Sequence, residues 1–235
     1  MASLKGLGYS GGMDIAQLKA FPLFAELPDA ALSHIARGAT PLAFPRGALI
    51  CRKGEFIQGF YCVLEGVVKL AFLSPEGHEK IVDLVHGGSS FGEALMFLDR
   101  PCPLYAQALT RCQLIHVRKE AILPALDRYS SLARQMLAGL SRRLHQLVLD
   151  LESYCMQPAA QRIIGYLLRE AETHEGQTRE VTFPVSKALI ASRLNVTPET
   201  LSRTLSCLSE QGLLKVEGKR ILIHDVERLR DLGPR

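Results

Sequence analysis

Thr197-Pro198-Glu199-Thr200-Leu201-Ser202-Arg203 reads as the opening of a helix with one polar and one apolar face. Thr197 is a natural N-cap, and Pro198 suits the first helical position, where its missing N–H has no bond to make. Counted from that start, Glu199, Ser202 and Arg203 fall at i, i+3 and i+4 and share a face, while Leu201, Leu205 and Leu208 fall on the other. Upstream, Ser186 to Arg193 forms a short amphipathic segment with Leu189, Ile190 and Leu194 apolar, and Leu194-Asn195-Val196 leaves only a tight connection between the two. The pair is a helix-turn-helix. Gly212 stops the second helix, and the runs Leu213 to Val216 and Arg220 to Ile223 flank Glu217-Gly218-Lys219, two strands and a turn that make a wing.

The polar face has the chemistry of major-groove reading. A guanidinium bridges guanine O6 and N7, a carboxylate accepts from cytosine N4, and a hydroxyl reaches base or phosphate. The competing interpretation is an exposed Glu199–Arg203 ion pair worth about 0.3–0.5 kcal/mol. Cap, apolar stripe, preceding helix and wing in register favour double-stranded DNA as a partner.

At 235 residues the chain is too long for one such module and fits two domains. A net charge of +4 is compatible with nucleic acid without requiring it. Met1 to Gly12 is rich in Gly and Ser and reads as a disordered tail, with Met13 an equally good first ordered residue. That stretch lacks a signal peptide's apolar run, and no later segment has the roughly 18 apolar residues of a membrane helix. A cytoplasmic protein with no membrane partner is expected. The six cysteines, at 51, 62, 102, 112, 155 and 207, form no C-x-x-C pair and read as buried, reduced thiols.

From Pro41 to about Arg118, short β-rich runs such as Phe60 to Leu64, Val67 to Phe72 and Gln113 to Val117 alternate with glycines, the pattern of an antiparallel barrel or jelly roll. Between Leu126 and Leu151 the period changes: Ala133, Leu137, Leu140, Leu144, Leu147 and Leu151 repeat at 4-3 spacing, a coiled-coil seam. A helix of that length spans about 37 Å, more than a small barrel covers, which favours self-pairing into a homodimer. Gln157-Pro158 breaks the chain, and Pro158 opens a further helix with Ile163, Ile164, Leu167 and Leu168 apolar. The expected fold class is α+β: residues 13–125 an N-terminal antiparallel β-roll sensor, 126–155 a long dimerisation helix, 156–235 a C-terminal winged helix-turn-helix.

Pro45-Arg46-Gly47, Lys53-Gly54-Glu55, Phe60-Tyr61-x-x-Leu64-x-Gly66-x-Val68-Lys69, Phe91-Gly92-Glu93 and Glu199-Thr200-x-x-Arg203 resemble the signatures of the Crp/Fnr family of bacterial transcription regulators over nearly the whole chain. The β-roll is then cyclic-nucleotide-binding-like. Glu199-x-x-Ser202-Arg203 resembles the Fnr and Dnr reader, Ser202 separating it from the Crp type, which implies a TTGAT-like half-site in an inverted repeat. The family also implies RNA polymerase as a partner, and places an effector pocket near Phe91, Gly92 and Glu93.

In cyclic-nucleotide-binding members an Arg ten residues beyond the Glu, followed by Ser or Thr, holds the phosphate. Here those positions are Pro103 and Leu104, and Arg100 and Arg111 stand at the wrong spacing, so cyclic AMP is not expected. The first cysteine is Cys51, inside the roll, which argues against the iron–sulfur cluster of Fnr. Segments Ser74 to Ile81, Glu93 to Asp99 and Arg143 to Gln146 are most similar to the Dnr subgroup, which implies a denitrification regulator responding to nitric oxide through haem, the alternative being a regulator that responds to another small molecule or needs no ligand. The candidate axial ligands are His34, His78, His86, His116 and His145, or Cys62, Cys102 and Cys112, and none is singled out. No H-x-H pair, nucleophile elbow, P-loop or zincin motif is present, so neither an enzyme nor a cupin-like metal site is expected.

Overall fold

The computed structural model describes residues 7–8, 13–74, 79–172, 179–183 and 185–233. In chain order the first part runs β1 (Leu7–Gly8), α1 (Ile15–Lys19), α2 (Asp29–Arg37), β2 (Ala39–Phe44), β3 (Leu49–Cys51), β4 (Gly59–Glu65), β5 (Val67–Leu73), β6 (Glu79–His86), β7 (Ser90–Phe91), α3 (Glu93–Leu98), β8 (Tyr105–Ala108), β9 (Cys112–Arg118), α4 (Lys119–Arg128) and α5 (Ser130–Met156). The second runs α6 (Ala159–Glu172), β10 (Arg179–Thr182), α7 (Lys187–Arg193), α8 (Pro198–Glu210), β11 (Leu214–Glu217), β12 (Arg220–Ile223) and α9 (Val226–Asp231).

The strands before α4 form two antiparallel sheets, ordered β1-β2-β9-β4-β7 and β3-β8-β5-β6. Tyr61, Val63 and Leu114 fill the space between the sheets with Val68, Leu70, Val85 and Phe91. Phe60, Cys62, Ile115 and Val117 face the other way, onto Phe24 of the α1–α2 connection and Leu32, Ile122, Leu132 and Met136 of the helices. β4 and β9 are therefore covered on both faces, which is why their sequences run apolar without alternation. The roll is the expected one, with α1 and α2 added on its outer face.

Three sequence expectations need correction. Residues 1–12 are not wholly a disordered tail, because Leu7 and Gly8 pair with Ala43 and Leu42 on β2, whose edge offers unpaired backbone groups; the rest of that stretch lies outside the described residues. The long helix expected from Leu126 begins at Ser130, since Tyr129 has extended backbone (φ −120°, ψ 97°) that ends α4. Of the six thiols, Cys155 and Cys207 are exposed, on solvent faces of α5 and α8, and only the other four are buried.

Two compact units divide inside α5, the first ending at Leu144 and the second starting at His145. The second is held by α6, whose Ile163, Ile164, Leu167 and Leu168 are all buried, and by the antiparallel sheet β10-β12-β11. Among the described residues no helix is long and apolar enough to cross a membrane.

Candidate nucleic-acid interface and effector cavity

Helix α8 starts as its sequence dictates. Thr197 has extended backbone and its Oγ1 accepts from the Thr200 N–H at 3.1 Å, with Pro198 in the first turn. The turn before it is closed by Asn195 in the left-handed region (φ 56°), a conformation asparagine tolerates, with the Val196 N–H donating to the Ala191 carbonyl at 3.0 Å. Leu201, Leu205 and Leu208 are buried, against an exposed face of Glu199, Ser202 and Arg203. Gly212 (φ 71°) ends the helix in a conformation that needs no Cβ, and β11 and β12 pair Glu217 with Arg220 across the two-residue tip Gly218-Lys219.

The electrostatics of that face are set by the helix end. Glu199's own backbone N–H and the Thr197 hydroxyl hold its carboxyl below the ordinary carboxylate value. Among the described residues no ion pair joins Glu199 to Arg203, so the two side chains present an anionic acceptor and a cationic donor side by side, one turn apart. That is the complement of the two edges of one G·C pair.

The leucine repeat divides in two. Leu137, Leu144, Leu147 and Leu151 are exposed, joined by Val148, whereas Ala133 and Leu140 are partly buried in their own unit. Leu132 and Met136 supply the contacts that seat α5 on the roll.

A cavity of about 320 Å³ opens between the α1–α2 connection, the start of α3 and α5. Phe21, Leu23, Met136 and Leu140 give it an apolar side; Ser89, Ser90 and Glu93 give it hydroxyls and a carboxyl; Arg142 and Arg143 give it positive charge. Of the three residues expected there, only Glu93 reaches it. Burial pushes its carboxyl up, opposed by a hydrogen bond to Ser90 and the charge of Arg143. Phe91 instead stacks on Tyr61 inside the roll, centroids 5.1 Å apart, and Gly92 (φ 98°) caps α3. Sequence reading missed Ser89, Ser90 and the role of Arg142 and Arg143; an arginine pair interrupting a leucine-rich helix was the available signal.

The described wall of this cavity does not fit a haem. The cavity wall carries no His, Cys or Tyr, and Met136 is its one side chain of a type that ligates haem iron. His116 is buried inside the roll against Tyr61, with Nδ1 unpartnered, and burial lowers it to about 4, but it is not on the wall. His34 lies beside Arg37 at 3.2 Å, His86 and His145 are exposed, and His78 lies outside the described residues. Cys62 and Cys112 are in the two cores, and Cys102 faces Cys51 at 3.7 Å. No cluster of three metal-ligating side chains occurs among the described residues.

The chain matches a Crp-like helix-turn-helix domain over residues 161–232 and a cyclic nucleotide-binding domain over residues 41–129. It is 30% identical over 198 residues to the global nitrogen regulator of Synechococcus elongatus, covering 81% of this chain and 89% of that one. It is 26% identical over 210 residues to the CRP-like cAMP-activated global transcriptional regulator of Mycobacterium tuberculosis, covering 88% and 94%. Its fold is similar to that of FixK2 from Bradyrhizobium japonicum, with a TM-score of 0.75 at 24% identity over 84% of this chain and 98% of that one. The two-sheet roll, the long helix and the capped reading helix, together with these likenesses, place it: the chain belongs to the Crp/Fnr family of transcription regulators.

Proposed function

We propose that this regulator works as a homodimer on a TTGAT-like inverted repeat and recruits or contacts RNA polymerase there, with DNA binding switched by a small effector in the α3–α5 cavity. The observation that carries the reading is the exposed Glu199, Ser202, Arg203 face on a helix whose start, turn and apolar back are all fixed. The exposed stripe Leu137, Leu144, Val148, Leu151 supplies the self-pairing surface. Pairing there would set two reading helices about one DNA turn apart, about 34 Å.

For the effector, the cavity favours a small molecule with an apolar body and an anionic group, the body against Phe21 and Met136 and the group near Arg142 and Arg143. A ligand switches binding only by its differential affinity for two dimer states, and α5 lines the cavity and also bears the seam. Cyclic AMP is disfavoured by Pro103 and Leu104. The haem-borne nitric oxide response implied by the Dnr-like segments finds no His, Cys or Tyr on the described wall of this cavity and forms the rival arm of the test.

The experiment is operator binding by fluorescence anisotropy on a TTGAT inverted repeat and a scrambled duplex, repeated with small carboxylates, with cyclic AMP, and with haem-reconstituted protein with and without nitric oxide. Selective binding modulated by a carboxylate supports the reading. Equal binding to both duplexes contradicts it, and a Soret band with nitric-oxide-dependent binding replaces the small-anion effector by haem.

A further inference from the structure

The last two turns of α5 carry Asp150 and Tyr154 one turn apart, and both side chains meet the helix before the reading helix. Asp150 is 9% exposed, and its Oδ2 lies 2.7 Å from Arg193 Nη2 while its Oδ1 accepts from Gln146 Nε2 at 3.0 Å. One turn on, Tyr154 donates its hydroxyl to the Arg193 carbonyl at 2.6 Å and accepts from Arg193 Nη1 at 3.0 Å. Burial pushes the Tyr154 phenol up, so it stays a donor. Arg193 is thus gripped through both its guanidinium and its backbone.

Arg193 is the last residue of α7, and the turn that follows it is pinned as well. Arg162 reaches the Asn195 carbonyl through Nη2 and the Gln157 carbonyl through Nη1, both at 3.0 Å. Asn195 itself is in the left-handed region, and two residues later Thr197 caps α8. From α5 to α7, at the turn after α7 and at the start of α8, hydrogen bonds or an ion pair thus hold the described contacts. Asp150 and Tyr154 also sit at the edge of the stripe that includes Leu147 and Leu151, so the surface proposed for self-pairing and the grip on α7 share one stretch of helix.

Stability alone is a poor reason for such a cluster. A buried ion pair roughly cancels its own desolvation cost, and replacing it by apolar side chains of similar volume is often neutral or stabilising. What a buried polar network supplies better is a unique geometry. We propose that Arg193, held by Asp150 and Tyr154, is a positioning residue for operator recognition, fixing each reading helix to the dimer helix so that the two half-sites are read at one spacing. The inference rests on the dimeric reading above.

The test uses the full chain, comparing wild type with Tyr154→Phe and with the apolar replacement Asp150→Leu plus Arg193→Met. Anisotropy titrations use three duplexes: the inverted repeat, the same repeat with base pairs added to its spacer, and a single half-site beside scrambled sequence. Expected in both variants are cooperative thermal unfolding, half-site affinity within about twofold of wild type, a loss of about tenfold in the preference for the full repeat, and relaxed discrimination against the lengthened spacer. If the apolar pair does not fold, Tyr154→Phe, which removes one oxygen, decides alone. A full-repeat preference unchanged in the folded variants overturns the proposal, and so does an equal loss on half-site and full repeat, which marks a purely structural role. Wild type with no preference for the full repeat contradicts the dimeric reading itself, a distinguishable result.

Discussion

Arg143 Nη2 of α5 lies 2.7 Å from Asp83 Oδ2 of β6, tying the helix that lines the cavity to the second sheet of the roll. Both side chains are about a third exposed, 35% and 31%, so solvent screens the pair. Asp83→Asn is expected to cost no more than about 1 kcal/mol, with the difference from wild type shrinking at high salt. Because Arg143 also stands at the cavity wall, the same change frees its guanidinium and should tighten binding of an anionic effector. Thermal unfolding at two salt concentrations and calorimetry with small carboxylates measure the two effects; a large, salt-independent loss of stability contradicts the first.

His116 gives the roll a pH dependence. Its imidazole is buried against Tyr61, and burial, with Arg118 nearby, lowers it from the ordinary 6.5 to about 4. The folded state therefore disfavours the proton that the unfolded chain accepts. Stability contributed by neutral His116 is fully present above pH 6.5, declines as pH falls from 6.5 towards 4, and does not change further below that. The total is about 3 kcal/mol. Denaturant unfolding from pH 7.5 to 4 should show a decline that His116→Phe flattens, and an equal decline in both proteins shows that other groups cause it.

The exposed stripe on α5 should hold the dimer. Leu137 and Leu144 are 63% and 65% exposed in a single chain, whereas Leu140 is partly buried at the cavity. Leu137→Lys with Leu144→Lys should give monomers at micromolar concentration without unfolding the roll, since neither side chain supports its own core. Sedimentation velocity with circular dichroism checks this; a wild type that sediments as a monomer removes the basis for an inverted repeat.

What the sequence made legible was local. The cap at Thr197, Pro198 behind it and the leucine spacing of α8 all lie within a dozen residues, and the structure reproduces each. The strands β4, β5, β6 and β9 showed as β-branched and aromatic runs between glycines. β2 was harder, because Pro41 lies inside it, opposite Ile115, and breaks the run that would signal a strand. The cavity and the Arg193 cluster were invisible for another reason. Phe21, Ser90 and Arg143 meet from three distant segments, and Arg193 is 39 positions from Tyr154, so no spacing rule connects them. The one hint was a pair of polar residues, Asp150 and Tyr154, one turn apart on an otherwise leucine-rich helix face.

Base reading by Arg203 and Glu199 is measured most directly by a base-substitution cycle. Wild type, Arg203→Ala and Glu199→Ala are titrated against the TTGAT inverted repeat and against the repeat with its G·C pair changed to A·T in both halves. Wild type should lose about 1–3 kcal/mol per half-site on the changed duplex. Arg203→Ala should lose that much on the intact repeat and show little further loss on the changed one, and Glu199→Ala should lose its preference at the cytosine. Additive losses, with Arg203→Ala still discriminating G·C from A·T as wild type does, would contradict the account.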